Sequence, residues 1–347
     1  MNLHFLIPGD INALSSSYIY DKRIVEGLIK KNHRVTVYRL ADDFPFPSEE
    51  SLNDCLRIVK KIPESDTIIV DSLAFGAIPS VLKEVYGKNP IVALVHLPLS
   101  VDPDFTTYQR TMVTALEQEA LTMASKFIST SEYTSEVLES LGIEKKIITL
   151  VAPGMDSFSR KKKFPETPKQ LLSIANLCRS KDHTILVRAL SALKDKDWVL
   201  HCYGNLDLDR DYLSDLQSMI RRNKLQNKVF IHGTISGEAL SEAYVTSDLF
   251  VHPSEFETYG MALAESLAHG VPVVASTGGG ICKTVPAKMA QFFKPGDVYG
   301  LQAILEELFE NSELYKRLYT QALTYHEHVQ SWQKSCDLFE KAIRVDN

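Results

Sequence analysis

Two glutamates, a helix start and two glycine-rich turns fall within one short run, His252-Pro-Ser-Glu-Phe-Glu257-Thr-Tyr-Gly260-Met-Ala-Leu-Ala-Glu265. It continues into His269-Gly-Val-Pro-Val-Val-Ala275-Ser-Thr-Gly278-Gly-Gly280. Leu249 to His252 reads as a buried strand, Gly260 opens a helix that stops near Gly270, and Val271 to Ala275 reads as the next strand. The backbone N–H groups of Gly260, Met261 and Ala262 then point out of the helix start, where they suit a phosphate. Glu257 lies on the loop entering that helix and Glu265 within it. A carboxylate only accepts hydrogen bonds, so beside a phosphate site it serves hydroxyls, which sugars and ribose supply. An ordinary strand–helix–strand unit could also carry two glutamates. What separates this run from one is that Pro253-Ser254, Gly260, Gly270-x-Pro272 and Gly278-Gly279 all stand in register with them.

That register resembles the sugar-nucleotide signature of retaining glycosyltransferases of the GT-B fold, above all glycosyltransferase family four. The resemblance implies that Glu257 meets the donor-sugar hydroxyls and Glu265 the ribose. In Asn176-Leu-Cys-Arg179-Ser-Lys181 the family has an Arg just after the strand and a Lys at the helix start. Lys181 matches that Lys, placed to neutralise a departing diphosphate. Asn176 stands where the Arg is usual, with Arg179 near enough in sequence to substitute or to be an idle loop residue. After the first strand the family carries a glycine pair near Ser16 and Ser17. Serines there expose N–H groups but put close backbone approach in doubt, and Ser17 could equally be a plain N-cap. His96, ending the strand from Ile91, corresponds to a His near the donor sugar in many relatives, or is a satisfied structural residue. Asp71, at another strand end, reads as a helix cap. The turns at Tyr203-Gly204-Asn205 and His232-Gly233-Thr234-Ile235 resemble the loops that face the donor phosphate and the base, and tight βα turns alone would also explain their glycines. The implied catalytic set is His96, Lys181 and Glu257. The implied donor-binding set is Ser16, Ser17, Asn176, Arg179, Gly204, Ile235, Gly260, Met261, Ala262 and Glu265.

The elements that must position these residues alternate strand and helix. Strands are expected at Leu3–Ile7, Arg34–Leu40, Thr67–Asp71, Ile91–His96, Lys126–Ser129 and Ile147–Val151. Helices are expected at Tyr18–Lys31, Leu52–Ile62, Ile78–Tyr86, Tyr108–Ala124 and Ser131–Leu141. The rhythm breaks over Arg160-Lys-Lys-Lys163, read as a solvated linker, and restarts at Gln170. The expected organisation is α/β: a Rossmann-like acceptor-side domain over 1–158, a linker over 159–169, a Rossmann-like nucleotide-sugar domain over 170–325, and a helical tail over 326–347. In such a pair the ligand is expected in a central cleft, and by the resemblance the tail crosses back to the first domain.

Composition narrows the function classes. The chain has 347 residues, a formal charge of −6, 44% hydrophobic and 24% charged residues. That length suits two domains, and without a basic excess a nucleic-acid partner is not expected. No apolar run approaches the length of a membrane span and no signal peptide is evident, which points to the cytosol. Five cysteines without metal-type spacing argue against zinc and disulfides. The 108–124 helix is not basic, so at most peripheral membrane contact is expected. Asp207-Leu-Asp209 has metal-type spacing but follows a different strand. Taken with the resemblance, the chain is expected to move a sugar from a nucleotide-diphosphate donor, UDP favoured, to a saccharide or small-molecule hydroxyl, soluble or lipid-linked. The transfer would retain configuration and need no metal, and the resemblance implies no cofactor. A non-catalytic sugar-nucleotide-binding subunit and an enzyme like UDP-N-acetylhexosamine 2-epimerase remain the alternatives.

Overall fold

The computed structural model describes residues 1–156, 165–325 and 329–344, so the basic run at 160–163 lies outside the described residues. The chain divides into two compact units, Met1–Met155 with Gln330–Asn347, and Asp156–Val329.

The first unit holds β1 (Asn2–Pro8), β2 (Arg34–Leu40), β3 (Thr67–Asp71), β4 (Ile91–Val95), β5 (Lys126–Ser129) and β6 (Ile148–Leu150). Between them run α1 (Ser16–Lys30), α2 (Glu49–Val59), α3 (Ser72–Phe75), α4 (Pro79–Leu82), α5 (Thr107–Leu121) and α6 (Glu132–Ser140). The six strands are parallel in the order β2-β1-β3-β4-β5-β6. Strands β3 and β4 are buried along their whole length, as their unbroken Ile and Val runs require when helices cover both faces.

The second unit holds β7 (Gln170–Ile174), β8 (Val199–Tyr203), β9 (Val229–His232), β10 (Leu249–His252), β11 (Val273–Ser276) and β12 (Ala290–Phe293). Its helices are α7 (His183–Ala192), α8 (Arg210–Arg222), α9 (Gly237–Thr246), α10 (Met261–Ala268), α11 (Ile281–Thr284), α12 (Val298–Glu310) and α13 (Ser312–Ala322). This sheet is also parallel, in the order β12-β11-β10-β7-β8-β9. Its core carries Trp198, whose indole Nε1 donates to the Leu193 carbonyl at 2.7 Å, so the ring is buried without an orphaned donor. The last helix, α14 (Trp332–Ile343), belongs to the first unit, where Cys336, Phe339 and Ile343 join one core with Phe5, Ile24 and Leu28.

Three sequence expectations are corrected. The helix expected over Ile78–Tyr86 is only the short α4, Pro79–Leu82, and a separate short helix, α3, stands before it at Ser72–Phe75. Asp71 caps α3 directly at the strand end, its carboxylate accepting from Leu73 N, and Pro79 at the first turn of α4 starts a separate helix. The cap of α1 is Ser15, which accepts from Tyr18 N, and Ser17 lies inside the helix. Lys181 is not at a helix start. It ends a 3-10 turn, Arg179–Lys181, and the left-handed Asp182 (φ 40°) separates it from α7. Among the described residues no helix is long and apolar enough to cross a membrane.

Candidate active site

In a parallel sheet every strand delivers its following loop to the same edge, and ligands collect at those carboxyl ends. Strands β7, β10 and β11 are neighbours, so their loops meet. Glu255 N donates to the Ser180 carbonyl at 2.8 Å, and Gly280 N to the Glu257 carbonyl at 2.7 Å. The glycine pair makes the second contact possible. A Cβ on Gly278 would lie 2.0 Å from the Glu255 carbonyl oxygen, and one on Gly279 2.3 Å from that of Glu257. The register of glutamate and glycines in the sequence is therefore a packing requirement: only glycines let one loop lie flat on the other.

On this platform Glu257 Oε1 takes two donors, Lys181 Nζ at 2.8 Å and His252 Nε2 at 3.0 Å. Burial by itself would raise the Glu257 carboxyl. The Lys181 ammonium and the His252 hydrogen bond outweigh it and hold the group well below the usual carboxylate range. The Glu257 carboxyl is thus ionised at neutral pH, and a fifth or so of each side chain of the pair is open to solvent. His252 was not among the expected site residues. As the last residue of β10 it is signalled only by its place five residues before Glu257. Behind it His183 is fully buried with neither ring nitrogen bonded, and burial, with the charges of His252 and Lys181, lowers it to about 3.

Next to this network α10 begins. Gly260 is its N-cap at φ 79°, and the first helical bond runs from Leu263 N to the Gly260 carbonyl. The N–H groups of Gly260, Met261 and Ala262 therefore precede the intrahelical ladder, as an anion site needs. One turn on, Glu265 Oε2 accepts from the Tyr244 hydroxyl at 2.9 Å. Burial raises Glu265 to about 7; the Tyr244 bond works against this and Asp156 adds to it.

The other expected donor residues are placed less tightly. Asn176 is half-buried in the loop after β7. Arg179 turns to Asp209, with Nε 3.6 Å from Oδ2, rather than into the Lys181–Glu257 pair. Asp209 itself caps α8 and Asp207 pairs with Arg210, so the Asp-x-Asp is occupied by local structure. Gly204 has a structural reason to be glycine, since a Cβ there would sit 1.9 Å from the Ala175 carbonyl oxygen. Gly233 faces open space, and Ile235 is half-buried in the loop that follows.

In the first unit, Ser16 is exposed at the start of α1 and Ser17 half-buried, its hydroxyl 3.2 Å from that of Ser15. His96 lies just past β4, where Nε2 is 3.0 Å from Asp21 Oδ1 and 3.5 Å from Asp71 Oδ2. Two carboxylates and an imidazole this close have the ligand types and spacing that a cation could use. The loop beyond His96 is pinned by Glu117 of α5, whose buried carboxylate accepts from Leu99 N at 2.6 Å and Ser100 N at 2.9 Å.

Residues 155–324, almost all of the second unit, match the family model of the glycosyl transferases group 1. The chain carries a domain of that family. Among curated proteins it is similar to the mannosylfructose-phosphate synthase of Agrobacterium fabrum, 27% identical over 210 residues that make up 55% of this chain and 46% of that one. Other relatives are matched over 17% and 32% of their length, so the chain spans under half of these proteins. Two solved structures share the fold over nearly the whole chain. The sucrose-phosphate synthase of Thermosynechococcus elongatus superposes with a TM-score of 0.81 at 17% identity, covering 98% of this chain and 97% of that one. The Anabaena HepE protein, crystallised with UDP and glucose, gives 0.75 at 16% identity over 98% of each chain. The architecture is the GT-B fold, two Rossmann-like units each built on a parallel sheet.

Proposed function

We propose that this protein is a retaining glycosyltransferase that moves a sugar from a nucleotide-diphosphate donor, UDP-linked by preference, to a saccharide or small-molecule hydroxyl without a metal. The observation that carries this reading is the Lys181–Glu257–His252 network beside the free N–H groups that open α10. The helix start and Lys181 supply fixed positive potential where a diphosphate gains charge as its glycosidic bond breaks, the task a metal performs elsewhere. Glu257 Oε1 is engaged by Lys181 and His252, while Oε2 is left to accept a sugar hydroxyl. Glu265 accepts from the ribose, and same-face attack on the anomeric carbon leaves the departing phosphate to take the acceptor proton. The preference for UDP draws on HepE, whose structure holds that nucleotide.

A test starts with UDP-, GDP- and ADP-sugars in excess EDTA, following transfer to saccharide acceptors and hydrolysis of the donor. Product should form at an unchanged rate under chelation. Lys181→Ala should cut turnover by about 10²–10³-fold with a smaller change in donor KM, because its charge counts most when the diphosphate departs. Activity lost to EDTA and restored by Mn²⁺ would defeat the metal-free reading. Nucleotide-sugar binding without turnover would favour a binding subunit, and Arg179, engaged at Asp209, would be its first explanation.

A further inference from the structure

The outer edge of the second sheet carries two histidines that the proposed chemistry does not use. In β8, Leu200 and Cys202 alternate into the core, so His201 and Tyr203 point to the other face. In β9, Val229 enters the core, and Phe230 and His232 share the face of His201 and Tyr203. The parallel register sets Phe230 beside His201 and His232 beside Tyr203. Strand β9 is the last of the sheet, and on this face Phe230 is exposed and both imidazoles are half-buried.

The diagonal between the two strands brings the imidazoles together. His201 Nδ1 lies 3.0 Å from His232 Nε2, with the ring planes 17° apart. Both rings are held from the side: Tyr203 stacks on His232 at 4.4 Å and Phe230 on His201 at 5.4 Å. On the inner side, Leu172 of β7 is the register neighbour of His201. The pair is thus walled by rings and an aliphatic chain. Burial, and then the charge of His232, lower the His201 imidazole, and no carboxylate acts against them. Only one proton fits between two facing nitrogens, so the neutral pair sets one N–H against one lone pair.

We propose that His201 and His232 form a binding site for a nitrogen-seeking divalent cation, of the class of Zn²⁺, that clips the edge strand β9 to β8. Imidazole is a ligand that zinc, nickel and copper all accept. Bonds of about 2.0–2.1 Å place two nitrogens of one ion about 2.9 Å apart at a right angle and about 3.3 Å apart at the tetrahedral angle. The observed 3.0 Å falls between these, so a small swing of each ring admits the ion. The shared proton moves to the far nitrogen of its own ring, and both imidazoles bind neutral, as metal ligands must. Water fills the remaining positions, which the open face allows. The stacked rings set the spacing of the two nitrogens before an ion arrives, which favours binding. Lys181, Glu257 and Glu265 are not among the ligands, so a clip here leaves the transfer itself free of metal. The competing place for a cation is the cluster of Asp21, Asp71 and His96, which offers one nitrogen and two carboxylates. Such a set suits oxygen-seeking ions such as Mg²⁺, and this difference separates the two.

Titration of Zn²⁺ into the unliganded full chain, labelled with nitrogen-15 at histidine, reads the site directly. Zinc is redox-inert and leaves the five cysteines unoxidised. The His201 Nδ1 and His232 Nε2 resonances should shift together and saturate at one equivalent, and Mg²⁺ should move neither. The melting temperature should rise with Zn²⁺ in the wild type, and His201→Gln and His232→Gln should each lose that rise. If one variant fails to fold the other still decides, and the wild-type titration needs neither. Resonances that stay in place, a shift at only one of the two rings, or a shift of His96 in their stead overturns the proposal. A rise in melting temperature that is equal in the wild type and both variants marks an adventitious ion only, and overturns it as well.

Discussion

At the scale of single residues, Glu265 shows how burial sets a group's chemistry. It was expected as an ionised acceptor for ribose, yet burial raises it to about 7 and Tyr244 already donates to Oε2. A ribose hydroxyl favours the carboxylate over the acid, since only the carboxylate is purely an acceptor. Nucleotide affinity should therefore climb as pH rises through about 7, by up to about tenfold per unit below it. Glu265→Gln should weaken nucleotide by about 1–3 kcal/mol at pH 8 and remove the pH dependence, as titration calorimetry would show. Affinity that is flat with pH in the wild type would remove Glu265 from the ribose.

At the scale of elements, the contact between α1 and α14 depends on one missing side chain. Gly27 sits in the interior of α1, where glycine normally costs about 1 kcal/mol relative to alanine. Here alanine is excluded, because its Cβ would lie 2.1 Å from Cys336 Sγ. The close approach lets Phe339 stack on Phe5 at 6.1 Å and Lys31 pair with Asp337 and Glu340. Gly27→Ala should destabilise the chain by about 1–3 kcal/mol in urea unfolding, against the propensity gain, and Cys336→Ala should restore part of the loss. A neutral or stabilising Gly27→Ala would mean that the two helices can move apart at no cost.

For the molecule as a whole, opposing buried groups shape the dependence of folding on pH. Glu265, raised to about 7 from an ordinary 4.5, contributes stability that is present below pH 4.5 and lost as pH rises to about 7. His183, lowered from 6.5 to about 3, contributes stability present above pH 6.5 and lost as pH falls toward 3. Neither His183 nitrogen has a partner, so an apolar residue of similar size removes a desolvation cost and the titration together. His183→Leu should raise the melting temperature more at pH 4.5 than at pH 7.5. An equal gain at both would mean that His183 is not held neutral.

The sequence by itself determined the α/β alternation, most strand positions and the glutamate–glycine register, because each is written in local spacing. Hydrophobic period places β3 and β10 at the residues observed, and Gly260 marks the start of α10. Tertiary structure alone decided what those residues touch. Lys181 and Glu257 are 76 positions apart, and nothing local says that they share a charge pair or that His252 completes it. The left-handed Asp182 moved Lys181 off the helix, and Ser15, not Ser17, won the cap of α1, choices made by packing among equally plausible neighbours. Asp21, His96 and Asp71 come from three separate elements of one sheet unit. Burial and the close charges at that meeting point, which no sequence window contains, give His96 and Asp71 proton affinities different from those they have in water.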